Sequence, residues 1–147
     1  MDPKDVLRRF FATLSTGDFD AIGEFFDDDS VWQVNNVAQG HPGERGRRAI
    51  IEDFLRPVRE GLFEPGDPKV EVTRMISEGD WVVAETTGRG ALRNGRKYEN
   101  CYVFVAQVSG GRVRYLREYM DTAYAFDVSR GASPDPDRLP DATRGAS

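Results

Sequence analysis

The stretch Lys97-Tyr98-Glu99-Asn100-Cys101-Tyr102-Val103-Phe104-Val105-Ala106-Gln107-Val108-Ser109-Gly110-Gly111-Arg112-Val113-Arg114-Tyr115-Leu116-Arg117-Glu118-Tyr119-Met120-Asp121 decides the architecture of this chain. Two runs of period-two alternation, rich in Val, Phe and Tyr, flank a Ser-Gly-Gly break, which is the pattern of an antiparallel hairpin. By alternation, Glu118 shares a face with Leu116 and Met120. A carboxylate in such company is either a solvent-starved acid/base or a costly structural residue.

The same period extends back to Lys69. Four strands are expected, at about 69–77, 80–92, 97–108 and 112–124, broken by Glu78-Gly79, Arg93-Asn94-Gly95 and Ser109-Gly110-Gly111. Before Lys69 the period is helical. Asp2 and Pro3 start a first helix with the stripe Val6, Leu7, Phe10, Phe11 and Leu14. Asp18 caps a short second helix with Ile22, Phe25 and Phe26, and the acidic run Asp27-Asp28-Asp29 reads as a solvated turn. A strand over 30–37 carries Val31, Trp32 and Val34, and a Gly/Pro loop holding His41 follows. A third helix starts near Arg47 with Ile50, Ile51, Phe54, Leu55 and Val58 buried; Pro57 should kink or fray its last turn, and Gly61 should end it. Three helices before a curved meander make an α+β fold, a cone-shaped antiparallel sheet wrapped around the helices with a cavity at one end. Residues 1–128 form one domain, and the Pro/Asp/Gly/Ser-rich segment 129–147 is expected to be a flexible tail.

Composition narrows the functional classes. With 39% hydrophobic and 31% charged residues, the chain has the make-up of a soluble globular domain. No apolar run approaches a membrane span, and the N-terminus lacks the basic start and apolar core of a signal peptide, so a cytoplasmic protein is expected. The single Cys101 excludes an internal disulfide framework. A net charge of −5 argues against sequence-independent nucleic-acid binding. A lone His41 and a lone Cys101 do not make a zinc set, and Gly88-Arg89-Gly90-Ala91-Leu92-Arg93 lacks the third glycine of a dinucleotide loop, so neither metal nor cofactor is implied.

Turn length fixes which side chains meet. If both glycine-ended breaks are three-residue loops, Thr86 opposes Tyr102, Gly88 opposes Asn100, Tyr102 opposes Glu118, Asn100 opposes Met120 and Phe104 opposes Leu116. A two-residue turn at either break would flip parity and scatter the set. In the expected register Thr86, Gly88, Asn100, Tyr102, Phe104, Leu116, Glu118 and Met120 form a pocket floor, with Leu14, Trp32, Phe54 and Val58 as walls. The opposite face carries Trp81, Val83, Cys101, Val103, Val105, Tyr115 and Tyr119 among Glu85, Arg89, Glu99, Arg117 and Asp121. That is too apolar to be left in water, so a homodimer through this face is expected.

Each candidate has two readings. Glu118 is a general acid/base with a raised pKa, or a carboxylate satisfied by Tyr102 and a nearby donor. Tyr102 is a donor to a substrate oxygen or to Glu118, or a buried aromatic whose hydroxyl finds a partner. Asn100 is an oxyanion donor, or an amide pairing with backbone. His41 overhangs the cavity mouth as a second acid/base, or is an exposed loop histidine. Asp121 pairs with an arginine or caps the strand end.

The motif Gly95-x-x-Tyr98-x-Asn100-x-Tyr102, the following glycine turn and Arg117-Glu118-Tyr119-Met120-Asp121-Thr122 resemble the SnoaL-like branch of the nuclear transport factor 2-like superfamily. Phe25-Phe26-Asp27-Asp28-Asp29-Ser30-Val31 and Gly46-Arg47 are similar too, so the likeness covers roughly Val6 to Tyr124. It implies a cone-shaped α+β barrel, commonly dimeric, in a family of polyketide cyclases, steroid isomerases, limonene epoxide hydrolases and proteins of unknown role. It places Glu118 at the strand position of a catalytic aspartate, and Trp32 where the hydrolases keep a water-holding tyrosine. It also places Thr86, Gly88 and Val34 where the hydrolases keep an arginine, a second aspartate and an asparagine. The steroid isomerases' base falls near Val34. The surviving carboxylate implies cyclase-type acid/base chemistry.

The resulting expectation is a cofactor-independent cyclase, isomerase or dehydratase acting on a small apolar oxygen-bearing ring compound such as a polyketide, steroid or terpenoid. Glu118 is its acid/base, and Tyr102 and Asn100 are its polar positioners. A non-catalytic carrier using the same cavity, or an interaction module presenting the outer sheet face, are the alternatives.

Overall fold

The computed structural model describes residues 1–34 and 42–130. His41 and the tail beyond Arg130 lie outside the described residues. The chain runs through α1 (Pro3–Leu14), α2 (Phe19–Gly23), β1 (Val31–Val34), β2 (Glu44–Arg45), a π-helical stretch (Ala49–Leu55) continuous with α3 (Arg56–Leu62), β3 (Lys69–Glu78), β4 (Trp81–Ala91), β5 (Lys97–Ser109), β6 (Arg112–Met120) and α4 (Thr122–Ser129). The strands form one curved, open six-stranded sheet in the order β2-β1-β6-β5-β4-β3.

The apolar stripe of α1, Val6, Leu7, Phe10, Phe11 and Leu14, is buried against the concave face of that sheet. Its first turn is closed by Asp2, whose carboxylate accepts the Lys4 N–H. The third helix does not fray at Pro57. In an α-helix the proline ring would clash with the carbonyl four residues back. Here the turn before it is widened, with Arg56 N–H bonding Ile51 C=O, and the helix runs on through Leu62.

The sheet register explains which side chains face inward. Arg93-Asn94-Gly95 is a three-residue loop with Gly95 at φ 86° and Leu92 N–H bonded to Arg96 C=O. Thr86 therefore opposes Tyr102 and Gly88 opposes Asn100, as expected. The second hairpin differs. Ser109 pairs with Arg112 across a two-residue Gly110-Gly111 turn with both glycines at positive φ. That alone would flip the parity of β6. A bulge restores it: Gln107 pairs with Tyr115 and Val108 with Val113, leaving Arg114 as the extra residue. The Arg114 guanidinium bonds the Asp27 carboxylate, so the acidic run is not merely a solvated turn. Asp27 also accepts from Asp29 N–H and Ser30 Oγ–H, which ties the α2–β1 turn to the bulge.

The net effect is a two-residue displacement with faces conserved. Glu118 opposes Phe104, not Tyr102; Met120 opposes Tyr102, not Asn100; Leu116 opposes Ala106, not Phe104. β6 also ends earlier than expected, at Met120. Among the described residues Asp121 pairs with no arginine. Its carboxylate accepts Tyr124 N–H and starts α4, a helix where strand was expected.

Candidate functional site

A cavity of about 370 Å³ opens between α3, α4 and the inner face of β4, β5 and β6. It lies between the main core and a second apolar cluster of Phe63, Leu92, Tyr98 and Val128. Leu14, Trp32, Phe54, Val58, Gly88, Phe104 and Met120 line it, together with Glu118 and Tyr102. Thr86, Leu116 and Asn100 are buried on the same sheet face but are not among the lining residues. Leu116 sits one pair deeper in the core because of the β6 displacement. The Tyr102 ring leans over Gly88, where a Cβ would meet its Cε2 at 3.0 Å. The missing side chain at Gly88 is what lets the ring lie there.

Glu118 is 6% exposed. Across the sheet its neighbours are Phe104 on β5 and Val34 on β1, which runs parallel to β6. Neither can pair with a carboxylate. Its described hydrogen bond comes instead from Trp32, two residues along β1, whose indole Nε1–H donates to Oε1 at 2.8 Å. The indole is held edge-on by Phe10 and Phe54, with ring centroids 5.8 and 5.3 Å away. Burial pushes the Glu118 carboxyl up to about 7, and the Trp32 bond, the lesser influence, pulls in the opposite direction. An indole N–H only donates, so Oε1 is an acceptor in both protonation states and the exchangeable proton belongs to Oε2.

The second polar group of the cavity is a hydroxyl pair. Tyr98 and Tyr102 both line it and their hydroxyls share a hydrogen bond. Asn100 lies beneath them. Its Nδ2 donates to Tyr98 OH and to Asp121 C=O, 3.1 Å each, so both amide hydrogens are committed inside the protein. The two hydroxyls own two protons. Only one can sit in their mutual bond, and the other is left for a third acceptor. Burial is the main cause of the raised pKa of both phenols, and the Glu118 charge adds to it, so both remain protonated donors at neutral pH.

Tyr98, Arg59 and the α4 residues Thr122, Ala125, Phe126 and Ser129 also line the cavity, although the sequence pattern assigns none of them to the site. Tyr98 was findable, being two residues before Asn100 in the same alternation. Asp121-Thr122 was findable as a helix cap. Among the described residues, no cluster of three or more His, Cys, Asp or Glu could hold a metal ion. No described helix is long and apolar enough to cross a membrane.

The profile of a family described as a SnoaL-like domain matches residues 7–116. The uncharacterized protein YesE of Bacillus subtilis is 22% identical over 129 residues, 87% of each chain. Two solved structures share the fold. One is an NTF2-like protein of unknown function from Burkholderia pseudomallei, with TM-score 0.75, 19% identity and 88% and 98% of the two chains covered. The other is a hypothetical protein with a ketosteroid isomerase-like fold from Catenulispora acidiphila, with TM-score 0.71, 16% identity and 85% and 92% covered.

Proposed function

The chain belongs to the SnoaL-like family, and on that premise we propose that it is a cofactor-independent acid/base enzyme of the cyclase, isomerase or dehydratase type. Its substrate would be a small, apolar, oxygen-bearing ring compound of polyketide, steroid or terpenoid character. One observation carries the reading: a buried, cavity-facing carboxyl whose pKa of about 7 leaves both of its protonation states populated at neutral pH.

In this scheme Oε2 of Glu118 removes a proton from a carbon next to a substrate carbonyl. The electron pair moves onto the carbonyl oxygen, and the uncommitted proton of the Tyr98–Tyr102 pair stabilises the resulting enolate. The protonated Glu118 then returns its proton. Delivery to another carbon completes an isomerisation; delivery to a departing hydroxyl releases water; delivery to the alkoxide formed when the enolate attacks an internal carbonyl completes an aldol cyclisation. Asn100 acts through Tyr98 and is a positioning residue in this scheme. The apolar walls exclude water that would otherwise quench the carbanion.

A compound active in a thermal-shift screen of polyketide, steroid and terpenoid ring compounds supplies the assay substrate. Glu118→Gln should bind that compound as the wild type does and lose turnover. Undiminished turnover in Glu118→Gln refutes the acid/base role. A wild type that binds but never converts its ligands supports a carrier instead.

A further inference from the structure

Arg59 is the one cationic side chain among the described residues lining the cavity, and the proton-transfer scheme leaves it unused. It projects from α3, is 6% exposed, and also borders a second pocket of about 540 Å³ that includes Gly17, Phe19 and Arg93. Its side-chain hydrogen bond is from Nη2 to Pro68 C=O at 3.2 Å. Other arginines are treated differently by the fold: Arg47, Arg56, Arg89 and Arg114 each pair with a carboxylate, at less buried positions. Arg59 has no such ion pair among the described residues. Asp67 is close enough to be felt electrostatically, but its Oδ2 is held by the Ala91 N–H.

A guanidinium carries five N–H donors. The Pro68 carbonyl takes one of them; the remaining guanidinium nitrogens are not sealed from solvent and meet no carboxylate among the described residues, so a cation with free donors borders the cavity. Position and charge together point to a partner brought by the ligand. We infer that Arg59 receives an anionic oxygen group of the ligand, so that this cavity favours apolar rings bearing an acidic oxygen over neutral rings of the same size. The inference deepens the proposed function and rests on the cavity being the ligand site. It separates two tasks, with Arg59 anchoring the charged end and Glu118 exchanging the proton.

Two dyes with nearly the same rings test it on the full chain: anionic 1-anilinonaphthalene-8-sulfonate and neutral N-phenyl-1-naphthylamine. Fluorescence titrations at a pH of about 6 keep Glu118 mostly protonated, so its charge does not repel the sulfonate. Arg59→Met should weaken the sulfonate by about tenfold to a hundredfold and leave the neutral dye within about twofold. Asp67→Asn, which removes the competing negative charge, should tighten the sulfonate alone. Equal loss of both dyes in folded Arg59→Met, or an unchanged sulfonate affinity, overturns the inference. If Arg59→Met does not fold, Asp67→Asn decides: no selective gain for the sulfonate overturns it. Failure of both dyes to bind wild type overturns the cavity reading as well, whereas neutral-dye binding without Arg59-dependent sulfonate binding overturns this inference alone.

Discussion

Replacing Glu118 by Gln should stabilise the protein increasingly as pH rises above about 4.5, with the full effect above about 7. The carboxyl titrates near 4.5 when solvated and at about 7 in the fold. Between those values the native state holds a proton that the unfolded chain has released, so stability falls as pH rises through the interval. The favourable contribution is complete below 4.5 and gone above about 7. At about 1.4 kcal/mol per pH unit, the interval corresponds to about 3 kcal/mol. Gln is close to isosteric, keeps an oxygen to accept the Trp32 N–H, and has no charge to desolvate. Urea unfolding at several pH values from about 4 to about 8 therefore should give a wild-type curve that drops relative to Glu118→Gln by about 3 kcal/mol across the range, with both proteins close together at the acidic end. Curves that stay parallel would show that the Glu118 pKa is not raised by folding. A variant less stable than wild type at the alkaline end would show that the charged carboxylate is better satisfied than one indole bond allows.

Three further outcomes follow from the same geometry. Trp32→Phe deletes the described donor to Glu118 and should raise its pKa further, by about one to two pH units, since a bond to a charged group contributes about 1.5–3 kcal/mol; an unchanged or lower midpoint by carboxyl NMR would contradict this. Gly88→Ala puts a Cβ 3.0 Å from Tyr102 Cε2, so the ring must tilt into the cavity; binding of N-phenyl-1-naphthylamine should weaken while stability changes by about 1–3 kcal/mol, and unchanged dye affinity would show that the ring has room to spare. The outer sheet face exposes 43% of Trp81 and 37% of Val103; if, as we propose, a homodimer covers this face, Val103→Asp should give monomers by sedimentation, and a monomeric wild type at working concentrations would refute the interface.

The fold was legible because period-two alternation and strong turn residues run from Lys69 to Met120. The inward aim of Glu118 was legible for a less secure reason. The expected three-residue turn at Ser109-Gly110-Gly111 is a two-residue turn, and the bulge at Arg114 supplies the residue that the turn lacks. Parity survived and pairing did not, so Phe104 and Val34, not Tyr102, flank the acid. The extra residue of that bulge, Arg114, meets Asp27 from the α2–β1 turn, a tertiary contact with no local signature. Trp32 reaches Glu118 because β1 lies parallel to β6, a long-range pairing that alternation cannot reveal. Asn100 looked like a ligand donor because an inward amide demands a partner; the partners turned out to be Tyr98 and the backbone of Asp121. Helix α4 was hidden by Tyr119, Met120 and Tyr124, whose β-type side chains extend the strand pattern past the Asp121 cap. Arg59 gave no signal, since an arginine on an amphipathic helix is ordinarily solvated and only the packing of α3 buries it.

The central claim is that Glu118 is a carboxyl held near neutrality inside an apolar cavity. Carboxyl-selective carbon-13 NMR, with the Glu118 resonance assigned by its absence in Glu118→Gln, measures this directly. The account predicts a titration midpoint of about 7. A midpoint at or below 4.5 would place the acid in a setting as favourable as water and contradict the account.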